Sequence, residues 1–189
     1  PMFYAIHETL IERDAFNHGV LKPGLATEWK MIDDTTMELK LREGVTFHNG
    51  DTLDAYDVEA SLDPIIKLED PRYRNPHGKM FYNFEDVEVV DDMTVRIHTK
   101  RPDPLIETLV SVRNAGIRSS AQTEDEGLNP IGAGPYKVTQ FIPGESVVLE
   151  RFDDYWGEPA PFDKVTFLRI PEVSTRVTAL VNGEIDIAS

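Results

Sequence analysis

The sequence predicts a mixed α/β or α+β domain, and three observations carry that expectation. Thr36-Met37-Glu38-Leu39-Lys40-Leu41 alternates apolar and polar residues, as a half-buried strand does. Val58, Leu62 and Ile65 recur at helical spacing behind Asp54, a residue suited to cap a helix. Strand-like and helix-like segments then mix without a strict repeat.

Each element follows from its local pattern. Residues 2–12 place Phe3, Ile6, Leu10 and Ile11 on one helical face, which predicts a helix. Asn17-His18-Gly19 is a turn, and Leu25, Ala26 and Trp29 continue an apolar surface. Asp33-Asp34 turns the chain into the strand at 36–41. Val45 and Phe47 extend that strand until His48-Asn49-Gly50-Asp51 breaks it. The helix after Asp54 should kink or end at Pro64. Residues 69–79 hold Pro71, Pro76 and Gly78 and read as a loop. Val87–Val90 and Thr94–His98 read as a hairpin joined by Asp91-Asp92-Met93. Pro104 to Val112 is a short amphipathic helix, and residues 119–130 are polar. Near Pro130 a new unit begins, with strands at 136–142, 146–151 and 164–170. A helix at 173–182 should start at Ser174 and stop at Asn182-Gly183. A last strand should begin at 184.

Composition narrows the function. The 189 residues are 40% apolar and 28% charged, with no apolar run long enough to span a bilayer. Acidic residues outnumber basic ones by 34 to 19, a formal charge of −15. Such a surface repels phosphate backbones and argues against nucleic-acid binding. It fits an acidic, solvated exterior or capture of a cation. With no cysteine, disulfides, zinc-thiolate sites and cysteine nucleophiles are excluded. The chain opens on Pro1 inside an apolar run and stops at Gly183-Glu184-Ile185-Asp186, so both ends read as cut.

No catalytic constellation emerges. The chain holds no nucleophile elbow and no phosphate-cradling glycine motif. In Gly132-Ala133-Gly134-Pro135 the proline removes an N–H that a phosphate would need, so a tight backbone crossing is expected instead. His7, His18, His48, His77 and His98 show no metal-ligand spacing and read as surface or loop residues. The pairs Asp33/Asp34, Asp91/Asp92 and Asp153/Asp154 fit turn chemistry. Asp51, Asp54 and Asp57 lack the glycine and terminal glutamate of a calcium loop, which favours helix capping. Tyr4, Phe81, Tyr82 and Phe84 are candidate binding aromatics, with core packing as the default.

Seven segments in register carry a resemblance. They are Leu25–Trp29, Leu39–Gly50, Asp54–Val58, Asp91–Val95, Pro130–Tyr136, Asp154–Gly157, and Thr175–Leu180 followed by Gly183–Asp186. Together the chain resembles the family 5 extracellular solute-binding proteins of peptide and nickel ABC importers. Ala133 departs from the family, which more often has threonine there.

The resemblance implies a two-lobed, hinged, type II periplasmic-binding-protein fold, of which this chain would be a fragment of the first lobe. Residues 1–130 would form its inserted subdomain and 131–189 its core subdomain leading to the hinge, with the second lobe absent. It implies a monomeric binder rather than an enzyme, without cofactor or metal. The expected cargo is a peptide first, with nickel chelate, sugar or opine as other options. ABC permease subunits would be the partners. The location would be periplasmic, or extracellular on a lipid anchor. Ligand contacts are expected from Glu8 to an amine, from Arg113 to a carboxylate, from Phe81 by stacking, and from Asn114. Two other classes remain: a carboxylate-dependent hydrolase domain, which needs two carboxylates in one cleft, and an interaction module, which needs a large exposed apolar patch.

Overall fold

A computed structural model describes residues 5–14, 17, 19–67, 78–122 and 129–188. Two antiparallel sheets and two short ribbons make its frame. The larger sheet has the order β4-β5-β7-β6, from β4 (Ala26–Met31), β5 (Thr36–Leu41), β6 (Phe84–Asp91) and β7 (Thr94–Thr99). The smaller has the order β11-β10-β9, from β9 (Tyr136–Ile142), β10 (Ser146–Arg151) and β11 (Lys164–Leu168). One ribbon pairs β1 (Glu8–Thr9) with β8 (Gly116–Ile117), and the other pairs β2 (Ile11–Arg13) with β3 (Leu21–Pro23). Among the described residues, α-helices run over α1 (Ala55–Ile66), α2 (Ile106–Leu109) and α3 (Val173–Val181), and Ala5 and Ile6 are also helical.

Alternation puts Met37, Leu39 and Leu41 of β5 and Val95 and Ile97 of β7 on one buried face. Val58, Leu62 and Ile65 of α1 cover that face at their helical spacing. The opposite face carries a charge ladder. Glu38 meets Lys30 at 3.1 Å and Arg96 at 3.0 Å, and Glu88 meets His98 at 3.2 Å. A second, smaller core gathers Ile6, Tyr136, Leu149 and Ala160. The two cores interlock, because Ile6 comes from the N-terminal part and Trp156 packs on the first core.

Asp54 caps α1 as expected. Its Oδ1 accepts the N–H groups of Tyr56 at 2.8 Å and Asp57 at 3.1 Å, and Asp57 Oδ2 accepts the Asp54 N–H at 3.0 Å. That reciprocal pair is a capping box. Asp54→Ala should therefore lower stability by about 1 kcal/mol, read from urea midpoints. Pro64 is tolerated in the last turn, two residues before the helix ends at Ile66.

Four expectations need correction. The helix over 2–12 gives way to strand from Glu8, because Glu8 and Thr9 pair with Ile117 and Gly116 far along the chain. Val45 and Phe47 are buried but lie beyond the end of β5, in a loop closed by a Thr46–Thr52 bridge. Helix α3 starts behind Glu172 without a side-chain cap, not at Ser174. No strand runs from 184 to 188. There the Glu184 N–H bonds Ala179 O and the Gly183 N–H bonds Leu180 O, closing the helix in a Schellman motif with Gly183 at φ 73°. The loop read at 69–79 lies mostly outside the described residues, as do Tyr4, His18 and His77.

Candidate ligand-binding wall

The site builds from the β1–β8 ribbon. Arg113 opens a 3-10 turn at 113–115 that leads straight into β8. This segment is pinned on both sides. The Arg13 Nε donates to Ser111 Oγ at 2.9 Å, and the Arg118 N–H donates to Ser61 Oγ of α1 at 2.9 Å. The Ser120 N–H donates to Asp57 Oδ1 at 2.7 Å. Burial pushes the Asp57 carboxyl upward while the N–H groups of Ser120 and Asp54 oppose it. The wall is thus a short turn held by a strand and a capped helix.

The four sequence-predicted residues fare differently. Arg113 is exposed and Asn114 half-buried on the turn. Among the described residues the Arg113 guanidinium makes no ion pair. Glu8 lies on the adjoining strand but is only 9% exposed, and the Tyr155 hydroxyl donates to its Oε1 at 2.8 Å. Burial pushes its carboxyl up to about 7, with the Glu12 charge adding to the rise and the Tyr155 bond and Lys22 opposing it. Phe81 is 1% exposed and stands edge-on to Phe84, ring centres 5.3 Å apart, in the first core. Its ring serves packing, and the exposed neighbour is Tyr82.

Behind the ribbon lies the glycine-rich crossing. The Gly134 N–H donates to Ile6 O at 2.8 Å, and the His48 N–H to Gly132 O at 2.9 Å. The His48 ring clamps the same crossing. Nε2 lies 2.9 Å from Gly134 O, and Nδ1 accepts the Gly132 N–H at 3.4 Å. One neutral tautomer, protonated on Nε2, satisfies both contacts. Burial keeps the His48 imidazole below its usual range and holds His7, 5% exposed, at about 4. His7 and His48 thus lie in loop segments, as the sequence suggested, but His7 is buried and His48 half-buried, and no sequence signal marked that burial.

Sequence reasoning missed three contacts here. They are Tyr155 on Glu8, Glu12 paired with Lys22 at 2.8 Å, and Arg42 stacked 4.3 Å over the Trp156 ring. The segment Asp154-Tyr155-Trp156-Gly157 was the available signal, but it marks the fold and not a partner. Among the described residues no group of three metal-ligating side chains converges. No described helix is long and apolar enough to cross a membrane.

Comparison with known proteins gives a consistent result. The glutathione-binding protein GsiB of Shigella flexneri serotype 5b is 31% identical over 174 residues, covering 89% of this chain and 33% of that protein. The chain thus spans about a third of the length of the curated relatives it matches. The structure of the periplasmic binding protein DppA from Helicobacter pylori, in complex with the peptide STSA, superposes with TM-score 0.83 at 28% identity. It is matched over 96% of this chain and 40% of its own. NikA from Brucella suis, in complex with Fe(III)-EDTA, gives TM-score 0.84 at 30% identity, over 97% of this chain and 37% of its own. These neighbours confirm the expected type II binding-protein fold for this part of the lobe. Residues 20–189 match the model described as bacterial extracellular solute-binding proteins, family 5 Middle, and the chain belongs to that family.

Proposed function

We propose that this chain is the first-lobe portion of the substrate-binding component of an ABC importer. It captures a small solute, a peptide first among the options, between two lobes and delivers it to membrane permease subunits. The observation that carries the reading is the family match over residues 20–189, joined to relatives whose names include glutathione and peptide ligands. Binding without chemistry fits a wall that offers the exposed Arg113 guanidinium and the half-buried Asn114 amide. The full protein would act outside the cytoplasm, in the periplasm or on a lipid anchor.

Arg113 offers a charge-assisted bidentate contact to a ligand carboxylate, and Asn114 adds a neutral one. Glu8 supports the wall from behind Tyr155 and meets a ligand amine only if that hydroxyl swings away. Residues 1–130 and 131–189 form the inserted and core subdomains, joined by the His48-clamped crossing. The test is calorimetric titration of the full-length protein with a dipeptide and tripeptide pool. Arg113→Ala should weaken the tightest binder about tenfold or more. Unchanged affinity for every carboxylate-bearing solute would remove Arg113 from the site.

A further inference from the structure

A trough of about 710 Å³ lies between the β2–β3 hairpin and the segment from Tyr155 to Pro161. Its volume falls in the usual range for small-molecule pockets. Tyr136, Tyr155, Trp156 and Pro159 give it apolar walls. The Arg42 guanidinium at 4.3 Å fixes the Trp156 ring. Two opposite charges stand side by side in the lining, Lys22 Nζ and Glu12 Oε2, 2.8 Å apart. Glu158 is the other charged lining residue and is exposed. Glu8 lies behind, bonded to Tyr155, with Glu12 and Lys22 as its charged neighbours.

The chemistry of that pair selects a ligand. A half-exposed ion pair contributes roughly 0–1 kcal/mol, so opening it costs little. A plain cation taken up by Glu12 would leave Lys22 without a partner. A plain anion on Lys22 would strip Glu12 and meet the field of a chain with formal charge −15. A ligand with an ammonium and a carboxylate on one carbon satisfies both side chains at once and leaves no charge unmatched. The aromatic and proline walls then take an apolar side chain. We propose that this trough is a binding site for an α-amino-acid zwitterion with an apolar side chain. It uses Glu12 and Lys22, not Arg113 and Asn114, and adjoins the solute wall proposed above through the Tyr155–Glu8 bond.

The test is calorimetric titration of the full-length protein with L-phenylalanine and L-leucine. N-acetyl-L-phenylalanine and L-phenylalanine methyl ester, each lacking one charge, are the comparisons. Saturable binding of the free amino acids is expected, with each capped analogue at least tenfold weaker. Glu12→Gln and Lys22→Met should each lose at least tenfold, with melting curves unchanged because both side chains are partly exposed. Arg113→Ala should leave this binding intact, so failure of the solute-wall reading would be seen separately. No heat from either amino acid would overturn the proposal. So would capped analogues that bind as well as phenylalanine, or affinity that survives both Glu12→Gln and Lys22→Met.

Discussion

Gly134→Ala is expected to lower stability by about 3 kcal/mol or more, and Gly132→Ala by a similar amount. The reason is contact with backbone. A Cβ at Gly134 would stand 2.7 Å from Ala5 O and from the Ile6 carbonyl carbon and oxygen. One at Gly132 would meet the Ile6 carbonyl and stand 2.9 Å from His7 Nδ1. A flexible side chain would swing aside, but backbone has to move whole. Moving it breaks the Gly134–Ile6 bond and the His48 clamp, and these tie the two cores together. Urea denaturation of each variant measures the loss. A shift under about 1 kcal/mol would mean that the crossing is looser than the structure has it.

Glu8→Gln is expected to raise stability at pH 8 by roughly 3 kcal/mol at most and to change little at pH 5. The folded carboxyl titrates at about 7 against a reference of 4.5, chiefly because it is buried. Between those values the folded state holds a proton that the unfolded state has lost. Stability therefore falls as pH rises from 4.5 to 7 and then levels. Glutamine keeps the acceptor for the Tyr155 hydroxyl and removes that fall. His7 works the other way. Its folded value is about 4 against 6.5 unfolded, so stability is lost as pH drops through that window. In the wild type the two slopes oppose each other between pH 4.5 and 6.5. In the variant the rise due to His7 is no longer opposed by Glu8. Urea midpoints at pH 5 and pH 8 test this, and equal midpoints for the two proteins at pH 8 would refute it.

Much of the fold was legible because its signals are local. The alternation in β5, the Asp54 cap and the Asp91-Asp92-Met93 turn depend on neighbours within a few residues. The helix wrongly read over 2–12 shows the limit. Apolar residues at Ile6, Leu10 and Ile11 are all fully buried, as the helical pattern required. What decides the conformation of this segment is strand pairing that periodicity does not see, of Glu8 and Thr9 with Ile117 and Gly116 and of Ile11 with Pro23. The site divides along the same line. Arg113 and Asn114 came from the family resemblance, and the structure puts them on a 3-10 turn with Arg113 exposed and Asn114 half-buried. Phe81 looked like a binding aromatic until the core closed over it. The partners of Glu8 and His48 lie far away in sequence, so burial, bonding and altered proton affinity emerge only once the chain is folded.

The account rests most on capture of a solute, and native mass spectrometry of the full-length protein, purified without denaturation, tests that most directly. The account predicts a bound species of defined mass that is lost on denaturation and is replaced by added peptide. A bare polypeptide that also ignores a pool of peptides, metal chelates and sugars would contradict it.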